Sequence, residues 1–185
     1  MLAVRALAAL FLLGAAPAQR YTLDAAASGV SAKVAFFGLA SKTARFPEVS
    51  GSIALSPDNP ERIDLVVTLD ARALTAPDRV TLARLKGPAF FDVERHPTVQ
   101  FRGERMRLTG DTTATVAGEI TARGVSRPAT LTIRFASPPL SADGRNPLRL
   151  DGETRIDRRE FGMTAYPLVV GRTVTIRISA VLVPD

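Results

Sequence analysis

The chain has 185 residues, 46% hydrophobic and 23% charged, with a formal net charge of +6, nine Phe, two Tyr, no Trp and no Cys. That length suits one domain with a substantial core, and the absence of cysteine excludes disulfides, thiol nucleophiles and Cys-ligated metals. The basic residues are scattered (Arg62, Arg72, Arg102, Arg134, Arg177), so they read as a solvated surface and no nucleic-acid partner is expected.

Arg5 precedes an apolar stretch over 6–16, and Ala16-Pro17-Ala18 places small residues where a secretory signal is cut. Residues 1–18 are therefore expected to be a signal peptide and 19–185 a single exported domain. No later run reaches the 18 apolar residues of a spanning helix, so the domain is not expected to cross a membrane. Its excess of arginine allows transient attraction to an anionic membrane surface.

Past Ala18, alternation with period two dominates. Val30, Ala32, Val34 and Phe36 point one way and Ser31, Lys33 and Ala35 the other. Ile63, Leu65, Val67 and Leu69 repeat the pattern, then Val99 and Phe101, then Val116, Gly118 and Ile120, then Leu131, Ile133 and Phe135. The last run is Val174, Ile176, Ile178, Ala180 and Leu182. Turn residues separate the runs: Ser56-Pro57-Asp58-Asn59-Pro60, Thr109-Gly110-Asp111, Arg123-Gly124 and the polar stretch 141–147. One segment departs from the rhythm. Residues 77–86 read as a short helix with Asp78 as its cap and Gly87-Pro88 as its stop.

About eight antiparallel strands, each with one apolar face, must close into a barrel or stack as two sheets. Ala32, Gly118 and Ala180 fall at inward positions among larger residues, which would leave room for an elongated apolar cavity. A fully packed core is the alternative.

Chemistry is sparsely represented. His96 is the single histidine, too little for a multi-His metal centre. Asp92 with Glu94, and Asp157 with Glu160, are the carboxylate pairs to weigh for acid–base work, and capping or salt bridging accounts for both. No phosphate-binding loop, dinucleotide fingerprint, zinc-protease motif or nucleophile elbow occurs. The expectation is a binding protein with no enzymatic activity, no metal and no resident cofactor. A lipid-modifying hydrolase or isomerase would need Arg84, Asp92, His96 and Asp157 turned into the barrel. A ligand-free envelope stress protein would show a packed interior.

Several segments carry a resemblance: residues 21–24 (YTLD), 46–51 (FPEVSG), 87–101 (GPAFFDVERHPTVQF), 118–131 (GEITARGVSRPATL) and 156–163 (IDRREFGM). In this order they resemble the YceI-like lipid/polyisoprenoid-binding family. The resemblance implies a lipocalin-like extended antiparallel β-barrel, usually periplasmic, holding a long lipid such as an isoprenoid quinone, polyprenyl phosphate, fatty acid or fatty amide. Where that family tends to carry histidine, this chain has Ala27 and Phe36, and the helix reads Thr81-Leu82-Ala83-Arg84-Leu85. The expected ligand-binding set is Val34, Phe36, Leu65, Val67, Phe101, Ile120, Leu131, Ile133, Ile176 and Ile178 along the interior. Phe90, Phe91 and Phe161 would stand at one end, with Arg84 at the mouth. The oligomeric state stays open between monomer and homodimer.

Overall fold

The computed structural model describes residues 18–56, 59–139 and 145–185, so the expected signal segment lies outside it except for Ala18. Among the described residues there are ten strands: β1 (Gln19–Leu23), β2 (Gly29–Phe36), β3 (Ala40–Phe46), β4 (Val49–Ser56), β5 (Asn59–Asp70), β6 (Thr98–Gly110), β7 (Thr113–Ala122), β8 (Val125–Phe135), β9 (Leu148–Asp157) and β10 (Val170–Pro184). The six alternating runs fall in β2, β5, β6, β7, β8 and β10, and β1, β3, β4 and β9 had no such run to mark them. A single α-helix, α1 (Arg79–Lys86), lies between β5 and β6.

All pairings are antiparallel. The order β1-β4-β5-β6-β7-β8-β9-β10 returns to β1 through Leu23↔Leu182 and Tyr21↔Pro184, closing an eight-stranded, lipocalin-like barrel. Closure, rather than sheet stacking, is how these half-apolar strands remove their edges. β10 is long enough to hold two partners on one edge: its end pairs with β1, and residues from Val170 to Ser179 pair with β2. Between β1 and β2 the Asp24 side chain accepts from Ala26 N at 3.0 Å, and Ser28 Oγ accepts from Val181 N at 3.0 Å. The β2–β3 hairpin consequently projects from β10 as an extension of the wall. Its outer edge meets the body at one bridge, where Arg45 N donates to Thr75 O at 3.0 Å and Thr75 N to Arg45 O at 2.8 Å.

Local chemistry explains the turns. Arg123 and Gly124 both take positive φ (52° and 73°), the two-residue turn that matches the twist of the β7–β8 hairpin. Asp78 caps α1 by accepting from Thr81 N at 2.8 Å, and Gly87 ends it, as the sequence indicated. Gly118 serves a different purpose from the one its position implied. A Cβ there would stand 2.0 Å from Arg102 O, so glycine permits close strand approach instead of opening a cavity. Ala180 is buried within the packed interior, and of the three small residues Ala32 is the one that lines the apolar pocket described below.

The interior holds two clusters. The larger includes Tyr21, Ile53, Leu65, Met106, Val116, Leu131, Ile133, Phe135 and Leu182. The smaller gathers Phe90, Ile120, Ala122, Phe161 and Met163. β8 and β9 pair only from Thr132↔Glu153 to Phe135↔Leu150 and then part. The 3-10 turn Arg158–Phe161 follows β9, and its Phe161 joins Ile120 and Ala122 of β7 in the smaller cluster.

Candidate functional site

An apolar pocket of about 130 Å³ opens at one end, between the β2–β3 hairpin, α1, the 87–91 loop and residues 158–174. Its wall is built from period-two positions of β2 (Ala32, Val34, Phe36), from Thr43 and Ala44 of β3, and from Val170 and Val174 of β10. Leu85 of α1 joins Phe90, Phe91 and Met163 to complete it. The enclosed volume falls below the ~300–1,000 Å³ of pockets that surround a drug-sized ligand. In this conformation it accommodates part of a long chain.

Three cations touch this apolar wall, and no carboxylate lines it. Lys42 lies 5.4 Å from the Phe36 ring centroid and pairs with Asp78 at 2.8 Å, tying the hairpin to the cap of α1. That hydrogen bond, with those from Thr81, holds the Asp78 carboxyl well below the usual carboxylate range. Arg84 stacks on Tyr166, 5.2 Å from its centroid, at the mouth. Arg158 is 2% exposed, and burial pushes its guanidinium below the ordinary arginine value. Its Nε and Nη2 donate to Gly171 O and Val170 O, each at 2.9 Å, and Nη1 donates to Met163 O. A buried guanidinium is retained because carbonyl dipoles replace its water. Here they also fix the segment entering β10 to the 3-10 turn.

Of the expected ligand-binding residues, the structure brings Val34 and Phe36 from the interior set, Phe90 and Phe91 from the end set, and Arg84 to this pocket. Leu65, Leu131 and Ile133 are buried in the larger cluster, with Val67 and Ile178 packed against it. Ile120 and Phe161 are buried in the smaller one, and Phe101 and Ile176 bridge the two. The space therefore lies at one end of the barrel and not along its length. A larger depression of about 850 Å³ has Ile133 and Ile178 among its lining residues, but it is also lined by Arg45, Arg134, Arg177, Asp151 and Glu153. A charged, open face is a poor host for an apolar chain.

The acid–base candidates do not converge. Asp92 is buried with φ 50°, its carbonyl accepts from Arg95 N and His96 N, and its carboxylate faces Arg95 at 3.8 Å. His96 lies half-buried beside the β7–β8 turn at Gly124. Asp157 caps the 3-10 turn through Arg159 N at 3.0 Å and pairs with Arg172. Arg84 alone of that set lies on the pocket wall. Among the described residues no cluster of three His, Asp or Glu has metal-binding geometry.

Lys42, Tyr166, Val169 and Val170 carry no signal in the sequence: Lys42 is a lone charge that no apolar pattern marks, and residues 162–170 show no periodicity. Arg123 was missed as well. From the hairpin turn it donates to Gly162 O at 2.7 Å and Pro88 O at 3.1 Å, clamping the loops behind the pocket.

The model of the YceI-like domain family matches residues 21–182 of the chain. A UPF0312 protein of Ectopseudomonas mendocina is 24% identical over 168 residues, 90% of this chain and 88% of its own. The crystal structure of Burkholderia cenocepacia BcnA superposes with a TM-score of 0.76 at 20% identity, covering 86% of this chain and 98% of that one. A polyisoprenoid binding domain from Saccharophagus degradans, implicated in plant cell wall breakdown, gives 0.69 at 14% identity, covering 89% and 98%.

Proposed function

The chain belongs to this family, and from that premise we propose that it binds a long-chain lipid by its apolar tail and catalyses no reaction on it. The observation that carries the reading is the pocket itself, a wall of Val, Ala, Leu, Met and Phe with no carboxylate. Each methylene moved from water onto such a wall gains about 0.8 kcal/mol, so a tail binds tightly without directed polar contacts. The polyisoprenoid-binding relative supports an isoprenoid tail. Isoprenoid quinones, polyprenyl phosphates and fatty acids or amides share that chemistry, each with an oxygen that Arg84 at the mouth can meet. The small enclosed volume requires the pocket to widen around a full-length chain, by movement of the β2–β3 hairpin away from α1. The signal-like residues 1–18 support work in the periplasm, as a carrier or sequestering protein.

Native mass spectrometry of protein purified from its own host tests this directly. A lipid adduct that organic extraction removes is expected. Repeated preparations without an adduct, together with no uptake of quinones, polyprenyl phosphates or fatty acids, would end the reading.

A further inference from the structure

Among the described residues, the large hydrophobic side chains left exposed are Phe37 (64%), Leu39 (101%), Val80 (61%), Tyr166 (44%) and Leu168 (95%). All five lie on the three segments that frame the pocket mouth. Phe37 and Leu39 form the tip of the β2–β3 hairpin, Val80 sits in the first turn of α1, and Tyr166 and Leu168 occupy the loop before β10. These segments make one rim. Phe37 N donates to Val169 O at 2.8 Å, Lys42 joins the hairpin to Asp78 at the start of α1, and Arg84 of α1 stacks on Tyr166.

The rim is held in place at a backbone cost. Phe37 and Tyr166 both adopt φ of 52°, a region that bulky side chains rarely occupy. Among the described residues four non-glycine positions take positive φ, and two of them, Phe37 and Tyr166, lie at the tips of this rim, the others being Asp92 and Arg123. The charge is one-sided too. α1 carries Arg79, Arg84 and Lys86 without a carboxylate between residues 79 and 86, while 37–41 and 164–170 carry no charge at all.

We propose that this rim docks the protein on an anionic lipid bilayer, with Phe37, Leu39 and Leu168 entering the head-group layer and α1 facing its phosphates. Three separate protruding tips around an opening suit a fluid surface that fills the space between them, where a rigid protein partner would need matching sockets. Apolar tips backed by basic residues are the combination that holds proteins at membrane interfaces, and each basic side chain near such a surface adds about fivefold in partitioning. The purpose of docking rests on the lipid-carrier reading: with the mouth against the bilayer, a tail passes into the pocket without crossing water. The geometry of the rim stands without that reading.

The chain has no tryptophan, so Leu39→Trp supplies a single emission reporter at an exposed position. Added vesicles of phosphatidylglycerol and phosphatidylethanolamine should shift its emission to the blue, and phosphatidylcholine vesicles or high salt should abolish most of the shift. In co-sedimentation the Leu39→Asp/Leu168→Asp variant should lose about tenfold or more in vesicle binding while its melting temperature and its uptake of soluble short-chain lipid remain as in the parent. Equal sedimentation of parent and variant would overturn the docking proposal and leave the carrier reading intact. Vesicle binding by a protein that takes up no lipid would do the reverse. Self-association of the parent without vesicles, abolished in the variant, would assign the rim to a second copy of the chain and overturn the membrane proposal.

Discussion

Across β5, β6, β7 and β8, inward side chains such as Leu65, Met106, Val116 and Leu131 are buried to within a few per cent, each pressed against its neighbours. At the other end Val34, Phe36, Leu85 and Val174 come from the same kind of alternating or amphipathic pattern, yet they remain half-buried around open space. The body closes on itself through ladders that run along both edges of β5, β6 and β7. The mouth does not, because β3 has a partner on one edge only and β8 and β9 part after four residue pairs. Where the ladders end, packing is left to loops and to α1, and those leave a pocket. Stability and binding are thus assigned to different regions, which substitutions can separate.

The largest effect belongs to the body. Phe135→Ala empties a buried ring site and should cost about 3–5 kcal/mol in thermal or urea unfolding. Lipid affinity of the molecules that remain folded should not change, and a fall in affinity would mean the two regions are coupled. Arg158→Met comes next. It leaves the carbonyls of Met163, Val170 and Gly171 without their donor, at a cost of about 2–4 kcal/mol, and here stability and binding should fall together.

Phe36→Ala sharpens the contrast from the mouth. The half-buried ring touches the pocket, so lipid affinity should drop by about 1.5–3 kcal/mol with little change in melting temperature. Arg84→Ala should lose less, since it removes a single mouth contact. A titration series in which Arg84→Ala loses more would centre recognition on a charged head group. Phe101→Ala, half-buried between the clusters and off the pocket wall, should act on stability and not on affinity.

Two smaller effects remain, and the first probes how firmly the mouth is fastened. Asp78→Ala removes both the cap of α1 and the partner of Lys42, and should raise amide exchange in that helix by about fivefold while the strands of the body are unaffected. The last concerns acid. The Arg72 side chain, by hydrogen bonding, lowers the Asp70 carboxyl from 3.8 to about 2. Asp78 is lowered by Lys42, and Glu153 by its hydrogen bond with Arg177. A carboxyl whose folded value is depressed adds stability above its unfolded value, and that contribution disappears as pH falls through the folded one. Melting temperature should therefore hold at neutral pH and decline between about pH 5 and pH 2. Asp78 is exposed and Asp70 and Glu153 are half-buried at the surface, so solvent ions reach all three pairs and a decline that high salt does not reduce would contradict the assignment.

Much of this architecture was legible before any coordinates. Period-two runs gave the inward faces of β2, β5, β8 and β10, Asp78 and Gly87 bounded α1, and Gly124 marked the tight turn of the β7–β8 hairpin. Those signals are local: a cap, a left-handed glycine and a pleat are settled by residues within a few positions of one another. Alternation says which face of a strand turns inward but not how far along the barrel a side chain lies or what stands across from it. Leu131 and Phe36 read alike in sequence, and only closure through β1 and β10 buries the first while leaving the second beside a cavity. The same limit applies to Gly118, whose inward position implied space and whose actual neighbour is the Arg102 carbonyl across the ladder. Residues 162–170 carry no period, so Tyr166 and Val170 reach the pocket through Arg158, which gathers three carbonyls of that stretch and of the residues beginning β10. Local sequence was enough for six strands with their faces and for the tight turns; β1, β3, β4 and β9, and the place where packing stops, emerge only in the folded chain, because they depend on which edges find partners distant in the chain.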